Sequence, residues 1–308
     1  MRASSPTLEP SPPPAPRDDR LLAPTRWISI VIVPVLAAAF VILYVFPGRT
    51  RELWGWMICT EMSALTMGAG YLAGAYFFTR AARAREWHTV SVGFIAVTVF
   101  STVLMATTVM HWSLFNHDHV SFWAWLLLYA STPVLIPVLW RKNQRTDPGT
   151  PGPRDVTMPR ALRVAVAVGG GAQLAFAAVM FAWPRLAAEV WPTELETATS
   201  RSLSAFLAFP AVTWLWFLFD RRWSSFRITQ QTATVGLVLI GLAAIRDADE
   251  FLGGWRTPAY AVSLVVAIVL NVALHVALDL RARRATTDRP PPSRRRPPYR
   301  PGLRPSPC

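Results

Sequence analysis

The chain has 308 residues, 52% of them apolar, with 14 tryptophans and a formal net charge of +13. That length would ordinarily make one large or two ordinary soluble domains, but the apolar residues are gathered into long runs, which excludes a soluble globular class. The two cysteines, Cys59 and Cys308, are too few and too far apart for a disulfide framework.

Residues 1–26 hold seven prolines and no apolar periodicity, and read as a disordered N-tail. Eight apolar runs follow: Trp27–Phe46, Met57–Thr79, Thr89–Met110, Val120–Trp140, Val164–Trp183, Ser202–Phe219, Ile228–Ile245 and Pro258–Leu280. A helix of about 20 residues crosses the ~30 Å hydrocarbon core of a bilayer, so the sequence predicts an all-α membrane protein with eight transmembrane helices. The first run continues to Phe46 beyond Ala37-Ala38-Ala39, which favours a retained helix over a cleaved signal peptide. Between the fourth and fifth runs, 141–163 is rich in Pro and Gly and reads as a linker. Residues 281–308, with nine Arg, eight Pro and one Asp, read as a disordered C-tail.

The basic residues decide the orientation. With the N-terminus inside, alternate connections beginning with the N-tail hold 25 of the 31 Lys and Arg, and the opposite ones hold 6. The positive-inside rule then places both termini in the cytoplasm. The positive charge follows from topology and is spread over loops, so no nucleic-acid partner is expected. The bilayer is the expected partner, with the anionic inner leaflet attracting the C-tail arginines. The bias of 30 Arg to one Lys is that of a GC-rich genome.

An offset of 137 residues brings Pro47 onto Pro184, Glu52 onto Glu189 and Trp54 onto Trp191, and lays the first four runs over the last four. The domain plan is therefore a four-helix half at 27–140 and a second at 164–280. Four is an even number, so the halves are expected to be parallel repeats about an axis along the membrane normal.

Polar residues near or within the runs are the candidate sites. HWSLFNHDH, in the connection after the third run, offers His111, His117, Asp118 and His119 as metal ligands. His117 and His119 share a side in an extended loop, but the spacing matches no zinc signature and a polar turn is the simpler reading. The corresponding connection, RDADEFLGG from Arg246 to Gly254, reads as a solvated acidic loop. Asn271, His275 and Asp279 recur at every fourth residue, a stripe on one helical face. Such groups face the bundle or a cavity at membrane depth. Glu61 is placed inside the second run by the same reading. That run continues through GAGYLAGA, where Gly70 and Gly74 make a small-residue packing face, and the repeat sets Pro210 against Ala73. Paired helix interruptions are a pointer to a transport site. The third run gathers Ser91, Thr98, Ser101, Thr102 and Thr108 on one side, where hydrogen bonds to neighbouring helices come first and a pore lining second.

No Walker A loop, dinucleotide fingerprint, GxSxG or HExxH occurs, and the connections on the outer side are short. No cofactor is expected, and His88 with His275 fits a haem pair only loosely. From His111 to Trp140, the succession HW–F–H–FWAW–Y–TP–P–W resembles that of multi-pass membrane proteins of high-GC actinobacteria. The resemblance covers the third and fourth runs best and implies a bacterial plasma membrane, the eight-helix duplicated plan and no activity. The leading expectation is a non-enzymatic membrane component, envelope-associated or partner-binding. A small-solute or ion transporter built from parallel repeats follows, and a metal- or haem-dependent oxidoreductase comes third.

Overall fold

The computed structural model describes residues 17–152 and 155–287, so the tail positions 1–16 and 288–308 lie outside the described residues. The described chain is all-helical, with ten α-helices and two isolated antiparallel bridges. Eight helices are long: α1 (Ala23–Phe40), α3 (Glu61–Arg83), α4 (His88–Met110), α5 (Val120–Gln144), α6 (Arg160–Ala182), α8 (Thr197–Trp216), α9 (Ser224–Arg246) and α10 (Arg256–Thr287). Two short ones, α2 (Thr50–Leu53) and α7 (Pro184–Val190), follow α1 and α6.

Six of the long helices are long and apolar enough to cross a membrane. The other two, α3 and α8, have 23 and 20 residues and fall short in apolarity rather than in length. Their place in the bundle accounts for this. α3 packs against α1, α9 and α8, while α8 packs against α6, α4 and α3. Helices walled by protein can carry Gly, Ser, Thr and Tyr where helices facing lipid need aliphatic side chains. Outermost α10, by contrast, exposes Val262, Val265, Val266, Val269 and Leu270, a surface compatible with contact with lipid tails.

The arginine-rich connections gather at one end of the bundle, here called the basic end. There a bridge joins Arg20 to Glu86, and another joins Thr157 to Arg222, 137 and 136 residues further on. The flanking bonds recur with the same spacing. Trp87 N donates to Asp19 O and Trp223 N to Val156 O, at 2.7 and 3.0 Å. Leu21 N donates to Arg85 O and Met158 N to Arg221 O, at 3.1 and 3.0 Å. At the opposite end, Asn116 N reaches Gly55 O and Leu252 N reaches Pro192 O. Helix partners follow suit: α1–α3 and α6–α8, α4–α5 and α9–α10, α4–α8 and α9–α3.

Several boundaries differ from the sequence reading. Residues 17–26 are not part of a loose tail, because Asp19 and Leu21 are bonded into the basic end and α1 starts at Ala23. The linker is also ordered at both ends: α5 runs to Gln144, Asp147 is buried and Met158 sits in an apolar cluster with Trp223 and Phe226. α10 runs to Thr287, seven residues past its apolar run. Residues 57–60 are not helical, since Ile58 is tied by its N–H and carbonyl to the Thr50 hydroxyl. α3 therefore starts at Glu61, and that carboxylate belongs to a helix end rather than a span interior.

Arg222 closes the basic end. Its guanidinium donates two parallel bonds to the Asp147 carboxylate, at 2.7 and 2.9 Å, and further bonds to Asp220. The side chains of Arg222 and Asp147 are only 7% and 1% exposed. Burial alone raises the Asp147 carboxyl, but the Arg222 hydrogen bonds, the Gly149 N–H and the guanidinium charge outweigh it, so its pKa lies below the ordinary carboxylate value. Removing one member of such a pair strands a buried charge, at a cost of about 3–5 kcal/mol. Arg222→Gln is therefore expected to lower the thermal midpoint in detergent strongly. Arg227→Gln, at the half-exposed pair with Asp279, is expected to cost less than about 1 kcal/mol.

Candidate functional site

The bundle holds a partly open cavity of ≈ 220 Å³ to which all eight long helices contribute. Its wall is mainly apolar: Leu36, Phe100, Phe206, Phe209, Leu237 and Ile240 are representative. The close approach of α3 to α8 forms one side. A Cβ on Gly70 would collide with the Phe206 ring, so only glycine fits there. Phe206 then stands edge-on to Tyr71 and to Phe100, with ring centres at 5.5 and 4.9 Å. Gly74 also lines the cavity but faces Leu36 of α1, so the two glycines serve different neighbours instead of one shared packing face. Pro210 of α8 lines it too. Because connections on the two sides differ by one residue, the spacing of 136 that relates α3 to α8 puts Pro210 opposite Gly74 and not Ala73.

Few polar groups reach this space. Tyr71 and Tyr129, both 2% exposed, share one hydrogen bond of 3.1 Å between their hydroxyls. Thr66, Ser101, Thr132, Gln173 and Thr232 complete the polar lining. Thr66, Ser101, Thr132 and Thr232 bond back to carbonyls of their own helices. The α4 hydroxyl face behaves the same way. Thr98, Ser101, Thr102 and Thr108 all bond within α4, and only Thr108 also meets a neighbour, accepting from Trp125 Nε1. Towards the opposite end an aromatic cluster of Trp54, Trp56, Trp125 and Phe115 stands over the tyrosine pair, with Trp54 edge-on to Tyr71 at 5.9 Å. The indole N–H groups of Trp54 and Trp56 are buried without a partner.

The histidine loop is dispersed by its surroundings. His111 accepts a 2.7 Å bond from Arg201 of α8, His117 packs against Trp112 and Phe122, and His119 caps α5 by accepting from Ser121 N. Asp118 lies in the turn without any of the three, its N–H bonded to Asn116. The acidic loop has a role the sequence reading missed: Glu250 accepts from both Glu61 N and Met62 N, at 2.8 and 2.7 Å, and so caps α3 from the far end of the chain. A carboxylate at a helix N-terminus is favoured by the free N–H groups there, and nothing local in the sequence pairs these residues.

The α10 stripe faces α9. Thr234 donates to Asn271 Oδ1 at 2.7 Å, while Asp279 accepts from Trp223 Nε1 and from Arg227. His275 lies 3.7 Å from Asp279 and edge-on to Trp223. The stripe is an interhelical seam and is separate from the cavity.

One further cluster lies at the basic end. His88, at the start of α4, bonds Asp19 through Nδ1 and Ser224 through Nε2, and the Ser224 hydroxyl bonds Asp155 Oδ2 at 2.6 Å. The order Asp–His–Ser has the look of a nucleophile relay, but the hydroxyl proton is committed to Asp155. Burial lowers the His88 pKa, but the Asp19 hydrogen bond and charge outweigh it and leave it above the ordinary value, which favours Nε2 as the donor to the serine oxygen. The imidazole therefore does not take the Ser224 proton as a relay would require. Asp19, Glu86 and His88 also bring three potential metal ligands within 4.8 Å of one another, the one such group among the described residues. His88 and His275 engage separate partners.

No protein-family model, curated protein or solved structure matches the chain.

Burial, and then the Arg201 charge, hold the His111 imidazole below its ordinary pKa. A base depressed in the native state contributes stability that is present above the unfolded value, about 6.5, and is lost as the pH falls below it towards the native value. Acidification through pH ~6 is therefore expected to remove the His111 contribution to the thermal midpoint, read as the difference between the wild type and a His111→Gln variant. Arg201→Gln, which removes the opposing charge, should flatten that dependence between pH ~7 and ~5.

Proposed function

We propose that this chain is an eight-span protein of the bacterial plasma membrane, with both termini cytoplasmic, that holds an apolar small molecule in its central cavity. The observation that carries this reading is the cavity itself, which draws on every long helix and has a mostly apolar wall. An engineered apolar cavity of about 150 Å³ stays dry and takes up benzene, and this one is larger. Binding rather than catalysis is the activity. Neither the tyrosine pair nor the hydroxyls bonded to their own helices form a nucleophile with its base.

The eight-span plan and the parallel repeat are supported by the recurring bonds at both ends of the bundle and by the matched helix partners. α3 and α8 cross at Gly70 and Phe206, positions 136 apart, as two halves meeting near a shared axis would. The basic end supports the inward orientation, since Arg222, Arg80 and the Arg20 bridge all cluster there. A second reading, passage of the apolar molecule through the bundle, is favoured by Gly74 and Pro210, which occupy corresponding places and both line the cavity.

Two measurements test these readings. Reporter fusions at positions 115 and 150 are expected on the outside and in the cytoplasm, and the same side for both would end the eight-span plan. For the cavity, Gly236→Leu places its branch inside with the Cβ in ordinary contact, 3.5 Å from Ala73 Cβ. The purified wild type is expected to show a distinct bound fluorine NMR signal with para-fluoro-α-methylstyrene. Gly236→Leu should lose that signal while its thermal midpoint holds or rises, as cavity filling predicts. An equal signal in both proteins would remove the cavity as the binding site.

A further inference from the structure

The Tyr71–Tyr129 pair leaves one hydrogen-bond donor without an acceptor. Two hydroxyls carry two protons, and the single bond between them uses one. Whichever tyrosine donates, the other keeps a free O–H, and both rings line the cavity. Tyr71 and Tyr129 are both buried. A buried donor with no acceptor is costly, so a fold that keeps one invites an oxygen from elsewhere.

The neighbourhood offers further donors. Trp54 and Trp56, each 5% exposed, add two indole N–H groups without partners in the cluster that stands over the pair. An indole N–H can only donate. The threonine and serine hydroxyls of the wall bond to their own helices, and the one hydrogen bond at either tyrosine hydroxyl is the bond between the two. A positively charged occupant would find no carboxylate in the lining, and a hydrocarbon would leave the donor bare.

We infer that the occupant of the cavity is an apolar molecule bearing a carbonyl oxygen, which the free hydroxyl of the Tyr71–Tyr129 pair receives. This rests on the reading of the cavity as a binding site and adds the chemical class of its ligand. The apolar body of the molecule lies among Phe100, Phe206, Phe209 and Leu237, and the carbonyl points towards the tyrosines. The asymmetry of the site supports a ligand held in one direction. Positions 136 further on from Tyr71 and Tyr129 are Leu207 and Val265, so only one side of the cavity carries the donor.

The test compares two probes of one shape, acetophenone and α-methylstyrene, which differ in having C=O or C=CH2. Affinities are measured for the wild type and for the double variant Tyr71→Phe, Tyr129→Phe, so that the hydration difference between the probes cancels in the ratio. The variant is expected to lose about three- to ten-fold in acetophenone affinity relative to α-methylstyrene. Retained binding of α-methylstyrene shows that the variant is folded. Should the double variant fail to fold, the infrared carbonyl band of acetophenone bound to the wild type decides instead. The expected band lies below its position in a hydrocarbon solvent. If both probes bind and the ratio does not change, or the bound carbonyl band stays at its hydrocarbon position, the cavity binds but water satisfies the tyrosine, and the carbonyl inference falls alone. If neither probe binds the wild type, the binding reading falls and takes this inference with it.

Discussion

The meeting of α3 with α8 at Gly70 and Phe206 sets the interior of this molecule. Without a side chain at position 70 the Phe206 ring of α8 lies directly against α3. That ring in turn fixes the edge of Tyr71 and the face presented by Phe100. Pro210, one turn along α8, interrupts the backbone bonding next to the same contact.

The two ends of the bundle are held by different physics. At the basic end, charge does the work: Arg222 lies between Asp147 and Asp220, and His88 lies between Asp19 and the Ser224–Asp155 pair. These bonds join the segment before α1, the α5–α6 connection and the α8–α9 turn. Each would cost desolvation if left incomplete. At the opposite end, rings and caps take over. Trp54, Trp56, Trp125 and Phe115 stack edge to face, Glu250 caps α3 and His119 caps α5. The histidine loop that invites a metal reading is absorbed into this packing, because each imidazole engages a different partner.

For function, the consequence is a polar–apolar division inside the bundle. Hydroxyls that bond their own helices present little polarity to the cavity, and the charged residues stay at the ends. In the binding reading proposed above, a molecule that enters would leave water or lipid for an apolar wall with donors concentrated near Tyr71. Specificity in such a site comes from those few polar groups, while affinity comes from the area of wall.

The sequence by itself determined the helices, their approximate limits and the division of charge between the two sets of connections. Helix length and apolarity are local properties of the chain, set by hydrophobicity and the rise per residue, and they are readable wherever the outer helices face lipid. They were less readable for α3 and α8, because protein neighbours relax the demand for apolar side chains, and at Glu61, because a helix start depends on what caps it. Only the tertiary structure decided the site. The cavity, the tyrosine pair from α3 and α5, the cap that Glu250 supplies across 189 residues and the buried Arg222–Asp147 pair all join residues distant in sequence. No periodicity encodes such meetings, since they depend on the distances between helices and on which side chains face one another, as Gly70 faces Phe206.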